Sequence, residues 1–180
     1  MVLQNIQCRY LHDSTTGRAI YDSLAIASYL DEAYPVTPVV IPSGTRVLQS
    51  LVADSFATNF NGLLAILRPR INQYMTPSFL EEIKKAYGEA VVSAEPTADE
   101  VKDGWVKAKK SFDELDKFFG EADEPYVMGN RPSYADFSLA AFLLPVRVYC
   151  GEDSHEWREV KGWASGRVGR ICDGVFTIKA

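Results

Sequence analysis

One stretch, Gly129 to Leu144, constrains the fold of this sequence more than any other, because it joins a helix start signal to a long apolar run. Pro132 fixes φ after a Gly-Asn turn, and Ser133 precedes Asp136 by three residues. This spacing is that of a capping box: the Ser133 hydroxyl accepts from the backbone N–H of Asp136, and the Asp136 carboxylate accepts from the N–H of Ser133. The sequence therefore predicts a helix that begins at these two residues.

The predicted helix is apolar on nearly every side. After the box it carries Phe137, Leu139, Ala140, Ala141, Phe142, Leu143 and Leu144. A helix without a polar face belongs inside a larger bundle, where water cannot replace a missing cap. We interpret Ser133 and Asp136 as a structural cap rather than as catalytic residues.

Composition and charge indicate a globular chain and narrow its partners. With 180 residues, 47% of them hydrophobic, the chain is long enough to bury a core. A net charge of -5 and the lack of a basic block argue against nucleic acid as the main partner. Three widely spaced cysteines (Cys8, Cys150, Cys172) favour a reducing compartment. Because no signal sequence is evident and the longest apolar run is too short to span a bilayer, we expect a cytoplasmic protein without a membrane segment.

The first part of the chain predicts two strands followed by a helix. Residues 5 to 13 alternate loosely between apolar and polar, a turn cluster follows, and Arg18 to Tyr21 continue as a second strand of a hairpin. Asp22 and Ser23 then open a helix that ends before Pro35. We predict that residues 35–44 are an extended linker and the best candidate for a domain boundary.

The rest of the chain is predicted to be helical. Apolar periodicity predicts helices from Thr45 to about Arg68, from Pro77 to Val92, from Val101 to Phe119 and from Glu152 to Val160. Pro69 is expected to break or kink the first of these. Thr97 and Glu100 have the spacing of a second, weaker capping box. No element is predicted for the Gly-rich residues 162–170.

The order of these elements resembles that of a glutathione transferase. In that family a thioredoxin-like domain ends in a hairpin that runs into an acidic residue and a serine, and a helical domain with an S-x-x-D capping box follows. IYDSLAIASYLDEAYP at Ile20–Pro35 is similar to the first signature, and RPSYADFSLAAF at Arg131–Phe142 is similar to the second. The HDSTTGRAIYDS sequence and the late Trp163–Arg170 segment most resemble the fungal and bacterial branch that includes β-etherases.

The resemblance implies a mainly α fold of the α+β class. Residues 1–36 are then a partial thioredoxin-like domain with a β-hairpin and a helix, and residues 43–180 are the all-helical C-terminal domain. The family's first βαβ unit, of roughly 30 residues, has no counterpart, and that unit carries the catalytic Ser, Tyr or Cys. The position of the family's cis-proline is held by Arg9 or its neighbour. We therefore expect an N-terminally truncated member whose catalytic residue is unknown.

Asp22 and Ser23 are the glutathione-binding residues that the resemblance implies. At a strand-to-helix junction, the Asp22 carboxylate can pair with a ligand ammonium. The Ser23 hydroxyl and free N–H groups of the helix can bind the ligand α-carboxylate. A zwitterionic amino-acid end fits such a site, although an ordinary N-cap is the structural alternative.

The implied reaction is attack of a glutathione thiolate on a hydrophobic electrophile, with glutathione as co-substrate. The implied partners are thus glutathione, a hydrophobic small molecule and a second copy in a homodimer. Two alternatives stay open. One is a non-catalytic glutathione transferase-like module that binds a ligand or a partner, and the other is a glutathione-dependent lyase or isomerase of fungal metabolism.

Other candidate residues lack the spacing that their chemistry needs. His12 and His155 have no partners at metal or triad spacing, so no metal site is predicted. Cys8 lies in a predicted strand and is expected to be an incidental thiol. Arg167 and Arg170 resemble an anion-binding pair without the strand-loop-helix context of one. Four aromatic residues are predicted to lie in the core: Phe56, Phe60, Trp105 and Phe112.

Overall fold

The computed structural model describes residues 10–93, 95–119 and 124–178. These residues form a β-hairpin and a set of helices, so the fold is mainly α, as the sequence predicts. The elements are β1 (Tyr10–Asp13), β2 (Arg18–Tyr21), α1 (Ser23–Ala33), α2 (Arg46–Asn72), α3 (Pro77–Tyr87), α4 (Glu89–Ser93), α5 (Ala98–Phe119), α6 (Tyr134–Cys150), α7 (His155–Lys161) and α8 (Arg167–Phe176).

The hairpin is held against α1 by Tyr29, the buried residue of that helix. The strands pair antiparallel, with Asp13 opposite Arg18 at the turn end. The Tyr29 hydroxyl donates to Asp13 Oδ2 and lies 3.1 Å from Thr16 Oγ1. The Arg18 guanidinium lies 4.9 Å from the centroid of the Tyr29 ring. Because a two-stranded sheet alone is marginal in water, these contacts are what support it.

The predicted first strand is observed from Tyr10 onward. Residues 5–9, which include Cys8 and Arg9, lie outside the described residues. The interpretations of Cys8 and of the cis-proline position therefore stay predictions.

The linker between α1 and α2 forms hydrogen bonds with α1 and with α6. Asp31 of α1 accepts from the backbone N–H groups of Val40 and Ile41, at 3.0 and 2.8 Å. The Val40 carbonyl accepts from the N–H of Tyr134, at 2.8 Å. These bonds connect the last turn of α1, through the linker, to the first turn of α6.

Helix α2 bends but does not end at its proline. Its parts Arg46–Leu64 and Ile66–Asn72 meet at 73°. Pro69 lies inside the helix and explains the bend, because it lacks an N–H and its ring crowds the carbonyl four residues earlier. Among the described helices none is long and apolar enough by itself to cross a membrane, and only the two bent parts of α2 taken together pass that test.

The aromatic core lies between α2, α5 and the segment before α8. Phe112 stacks on Phe56 and on Trp163, with ring centroids 6.3 and 5.4 Å apart. These three side chains are 1%, 2% and 0% exposed. Phe60 is also buried, and Trp105 packs partly buried against the same cluster. The predicted core role of the four aromatic residues is confirmed.

Two local differences from the predicted helices have backbone causes. The helix predicted from Pro77 to Val92 is divided into α3 and α4, because Gly88 has a φ of 91°, which a helix cannot continue through. The Gly-rich segment without a predicted element contains the start of α8. Three consecutive residues with positive φ, Ala164 to Gly166, turn the chain immediately before that helix.

Both helices that were predicted to begin at a capping box, α5 and α6, begin there in the structure. Thr97 donates its N–H to Glu100 Oε2 at 2.8 Å, and Glu100 donates its N–H to Thr97 Oγ1 at 3.3 Å. Helix α6 begins after Ser133 and continues through Pro145 to Cys150. It is not buried on every side, however, since Leu144 and Val148 are 39% and 58% exposed.

Candidate functional site

Asp22 lies at the junction of β2 and α1 in a backbone conformation that residues with a side chain rarely adopt. Its φ is 77° and its ψ is 132°. Such strain persists only where the surroundings hold it, and it occurs most often at ligand-binding and catalytic sites. Here the side chain itself contributes, because Asp22 Oδ1 accepts from the N–H groups of Leu24 and Ala25, each at 3.0 Å.

These two bonds change one detail of the predicted site. The sequence-based hypothesis assigned free N–H groups of the helix to a ligand carboxylate, but those of Leu24 and Ala25 are bound to Asp22. Asp22 is thus the N-cap of α1. Both capping bonds go to Oδ1, and Asp22 is exposed. The second carboxylate oxygen, which accepts from no residue in the described ranges, is the atom that a ligand ammonium can contact.

Ser23 is joined to the helical part of the protein by a residue that the sequence does not single out. The Ser23 hydroxyl oxygen lies 2.7 Å from the hydroxyl oxygen of Tyr134, the first residue of α6. The two residues are 111 positions apart. No local pattern predicts a contact over such a separation, which is why sequence reasoning missed Tyr134.

A polar pocket of about 140 Å³ lies beside Asp22 and Ser23, between α1, α2 and α6. Its lining residues are Asp22, Ser23, Leu24, Ser50, Ala53, Asp54, Ala57, Tyr134, Ser138 and Phe142. The polar members are two carboxylates and four hydroxyls, and no Lys or Arg is among these residues. Carboxylates attract a cation and hydroxyls can donate to an anion, so the pocket suits a small group that carries both charges.

A larger groove of about 560 Å³ shares Ser23 and Tyr134 with the polar pocket. Its apolar lining comes from α1, the linker and α6, and includes Ile26, Leu30 and Phe137. The Ser23–Tyr134 hydrogen bond thus lies where a polar and an apolar cavity meet. This arrangement can bind a molecule with one charged end and one hydrophobic end.

Ser133 and Asp136 form a buried capping box at the start of α6. Asp136 Oδ2 accepts from the N–H of Ser133 at 2.8 Å and from its hydroxyl at 2.7 Å, while Oδ1 accepts from the N–H of Val127 at 2.8 Å. Burial raises the pKa of Asp136, and these hydrogen bonds to the carboxylate oppose the rise. Neither residue lines the pocket or the groove, and this geometry agrees with a structural role.

The two cysteines in the described ranges are not arranged as nucleophiles. Burial raises the pKa of Cys172 to about 12. Burial also raises the pKa of Cys150, although Arg70 Nη1 lies 2.7 Å from its Sγ. A thiol with a raised pKa stays protonated near neutral pH and reacts slowly. No catalytic group is therefore assigned among residues 10–93, 95–119 and 124–178.

Arg167, part of the predicted anion-binding pair, is engaged inside the protein. Its Nε donates to Asp116 Oδ1 at 3.2 Å, and its Nη1 donates to the carbonyl of Glu124 at 3.0 Å. The guanidinium also lies 4.7 Å from the centroid of the Phe119 ring. Because these contacts occupy the guanidinium of a residue that is only 8% exposed, an anion site with Arg170 is not supported.

The two histidines lie at the surface. His12 is exposed on β1, and the side chain of His155 is 84% exposed, with Glu159 Oε2 at 3.9 Å. Within the described part of the chain, no group of three or more His, Cys, Asp and Glu side chains could hold a metal ion.

Comparison with known proteins assigns the family. The family model of the glutathione S-transferase C-terminal domain matches residues 47–175, which extend from α2 to α8. This match covers more than half of the chain and includes the capping box of α6. The chain belongs to the glutathione transferase family.

Solved structures with the same fold include proteins of Ceriporiopsis subvermispora and Phanerochaete chrysosporium. CsGST63524 and CsGST83044 of Ceriporiopsis subvermispora, both solved in complex with glutathione, are 28% and 29% identical, with TM-scores of 0.80 and 0.81. The superpositions cover 95% and 94% of this chain and 72% and 70% of those chains. GSTFuA3 of Phanerochaete chrysosporium has a TM-score of 0.77 at 22% identity, with 95% of this chain and 71% of that chain covered, and shows the shared fold.

A curated relative is the glutathione S-transferase-like protein ustS of Aspergillus flavus. It is 28% identical over an alignment of 165 positions that covers 85% of this chain and 58% of ustS. The chain thus spans less than two thirds of the length of this relative.

Proposed function

We propose that this chain binds glutathione and that the γ-glutamyl end of the tripeptide lies at Asp22 and Ser23. The observation that carries the proposal is the strained Asp22, which lies beside Ser23 in the lining of the polar pocket and whose second carboxylate oxygen accepts from no residue in the described ranges. The γ-glutamyl end carries an ammonium and a carboxylate, for which the pocket offers carboxylates and hydroxyls. The glutathione complexes of CsGST63524 and CsGST83044 support the choice of ligand.

The proposed reaction is attack of the glutathione thiolate on a hydrophobic electrophile: the thiol gives its proton to solvent, a new S–C bond forms, and a leaving group departs with the electron pair of its broken bond to the same carbon. The groove lined by Ile26, Leu30 and Phe137 supports a hydrophobic co-substrate, because it shares Ser23 and Tyr134 with the polar pocket. The group that activates the thiol is not assigned among the described residues. Glutathione is the co-substrate, and the second substrate is a hydrophobic electrophile.

A non-catalytic binding module is the second candidate. The observation that favours it is that neither Cys150 nor Cys172 lines the polar pocket or the groove, and burial raises the pKa of both thiols. A glutathione-dependent lyase or isomerase is the third candidate.

Calorimetry with glutathione, followed by assays with an activated aromatic halide and with a β-aryl ether, separates the three candidate functions. We expect binding and turnover of the halide. Binding without turnover of either compound would favour the module, and cleavage of the ether alone would favour the lyase.

We also propose that the chain forms a homodimer and is cytoplasmic. Val47, Leu48 and Leu51 of α2 are 69%, 58% and 62% exposed and lie close together on the helix surface. Contiguous exposed apolar side chains are typical of an interaction surface. Sedimentation velocity checks the oligomeric state, and a monomer at micromolar concentration would contradict the proposed dimer.

A further inference from the structure

The hydrogen bond between Ser23 and Tyr134 carries an inference that rests on the glutathione site proposed above. We propose that Tyr134 is a positioning residue whose hydroxyl donates to Ser23 Oγ and thereby directs the Ser23 O–H toward the α-carboxylate of the ligand. Tyr134 then acts on the ligand through Ser23, from the helical part of the protein.

The direction of this hydrogen bond follows from the chemistry of the ligand. The two oxygens lie 2.7 Å apart, a normal O–H···O distance, and either hydroxyl could donate. A carboxylate has no proton and can only accept, so it binds Ser23 only if Ser23 donates to it. A serine hydroxyl has one proton. Once that proton is given to the ligand, Ser23 Oγ can meet Tyr134 only as an acceptor, and the phenol must be the donor.

The backbone around Tyr134 holds the phenol in place for this role. The Tyr134 N–H donates to the carbonyl of Val40 at 2.8 Å, and the next N–H, of Ala135, donates to Oε1 of Gln49 at 2.8 Å. Gln49 is 1% exposed, and Tyr134 lies between Ser133 and Asp136, the two residues of the buried capping box. A side chain on a helix start fixed in this way is preorganised, as a binding constellation requires.

The capping bonds of Asp22 increase the importance of the Ser23 hydroxyl. Because the N–H groups of Leu24 and Ala25 are already bound to Asp22, they are not offered to the ligand carboxylate. The Ser23 hydroxyl must therefore supply a larger part of the binding of that carboxylate. A chain of hydrogen bonds from phenol to hydroxyl to carboxylate also strengthens its last bond, since each bond polarises the next one.

Replacement of Tyr134 by phenylalanine tests this role, since it keeps the ring and removes only the hydroxyl. Calorimetry on the full chain is expected to show glutathione binding about three- to tenfold weaker, the size of one lost hydrogen bond. The matched control is Tyr74→Phe, because Tyr74 is 72% exposed and lines neither cavity. That variant is expected to bind glutathione as the wild type does.

A double-mutant cycle distinguishes positioning from a merely structural role. After Ser23→Ala, the further change Tyr134→Phe is expected to leave glutathione affinity unchanged. The analogue γ-aminobutyryl-cysteinyl-glycine keeps the ammonium but lacks the α-carboxylate, so its affinity is expected not to respond to Tyr134→Phe. A structural defect would instead weaken both ligands alike and would add to the effect of Ser23→Ala.

The outcomes separate this inference from the proposed function. If the wild type binds glutathione but Tyr134→Phe binds it equally well, or weakens both ligands alike, the inference is overturned and the glutathione site stands. If the wild type does not bind glutathione, the proposed function fails, and the positioning role fails with it.

Discussion

Replacing Phe112 by alanine is expected to lower the free energy of unfolding by about 3–5 kcal/mol. The Phe112 ring is 1% exposed and stacks on both Phe56 and Trp163. Its removal leaves a cavity between α2, α5 and the segment before α8, and packed helices can collapse into such a cavity only in part. Denaturant titration measures the loss.

The matched control lies on the same helix. Val106 is 61% exposed, so Val106→Ala is expected to change the free energy of unfolding by no more than about 0.5 kcal/mol. Equal transition midpoints for Phe112→Ala and Val106→Ala would mean that the aromatic stack is not the centre of the core.

Replacing Asp136 by alanine is expected to cost about 2–4 kcal/mol of unfolding free energy. The carboxylate is fully buried and accepts from the N–H groups of Ser133 and Val127 and from the Ser133 hydroxyl. Alanine leaves both N–H groups without this partner, and a buried donor left unsatisfied costs about 1–3 kcal/mol. The variant Ser133→Ala is expected to lose less, because it removes a donor and leaves the N–H bonds in place.

Exposed Asp153 supplies the control for this prediction, since Asp153→Ala removes a carboxylate at the surface. Denaturant titration should show a large shift for Asp136→Ala and none for Asp153→Ala. Glutathione affinity of the folded Asp136→Ala protein is expected to match that of the wild type, because Asp136 lines neither cavity. An unchanged midpoint would refute the structural assignment, and a specific loss of affinity would place Asp136 in the site.

The elements that the sequence predicts well are those with local signals. The turn before Arg18, the N-cap at Asp22 and the capping box at Ser133 each specify a start or an end within a few residues. Apolar periodicity identifies α2 and α5 because their buried faces repeat at the helical spacing. Local signals of this kind are sufficient for the hairpin, the linker and the order of the helices.

The features that the sequence did not predict depend on contacts or on backbone angles. The positive φ of Gly88 divides a helix whose apolar pattern continues. At Pro69 the sequence allowed either a break or a kink, and the structure shows a bend within one helix. The candidate site was likewise predicted only where its residues are neighbours in the sequence. Asp22 and Ser23 are adjacent and carry a motif, whereas the partner Tyr134 reaches Ser23 only because the linker bonds bring α1 next to α6.

The central claim is that Asp22 binds the ammonium of glutathione in addition to capping α1, and the variant Asp22→Asn tests it most directly. Asparagine keeps an Oδ1 that can accept from Leu24 and Ala25 and tolerates a positive φ, but it removes the negative charge. Calorimetry is expected to show glutathione affinity reduced about tenfold, with the unfolding midpoint unchanged. Wild-type affinity in Asp22→Asn would show that Asp22 is only the N-cap of α1 and would contradict the glutathione site proposed here.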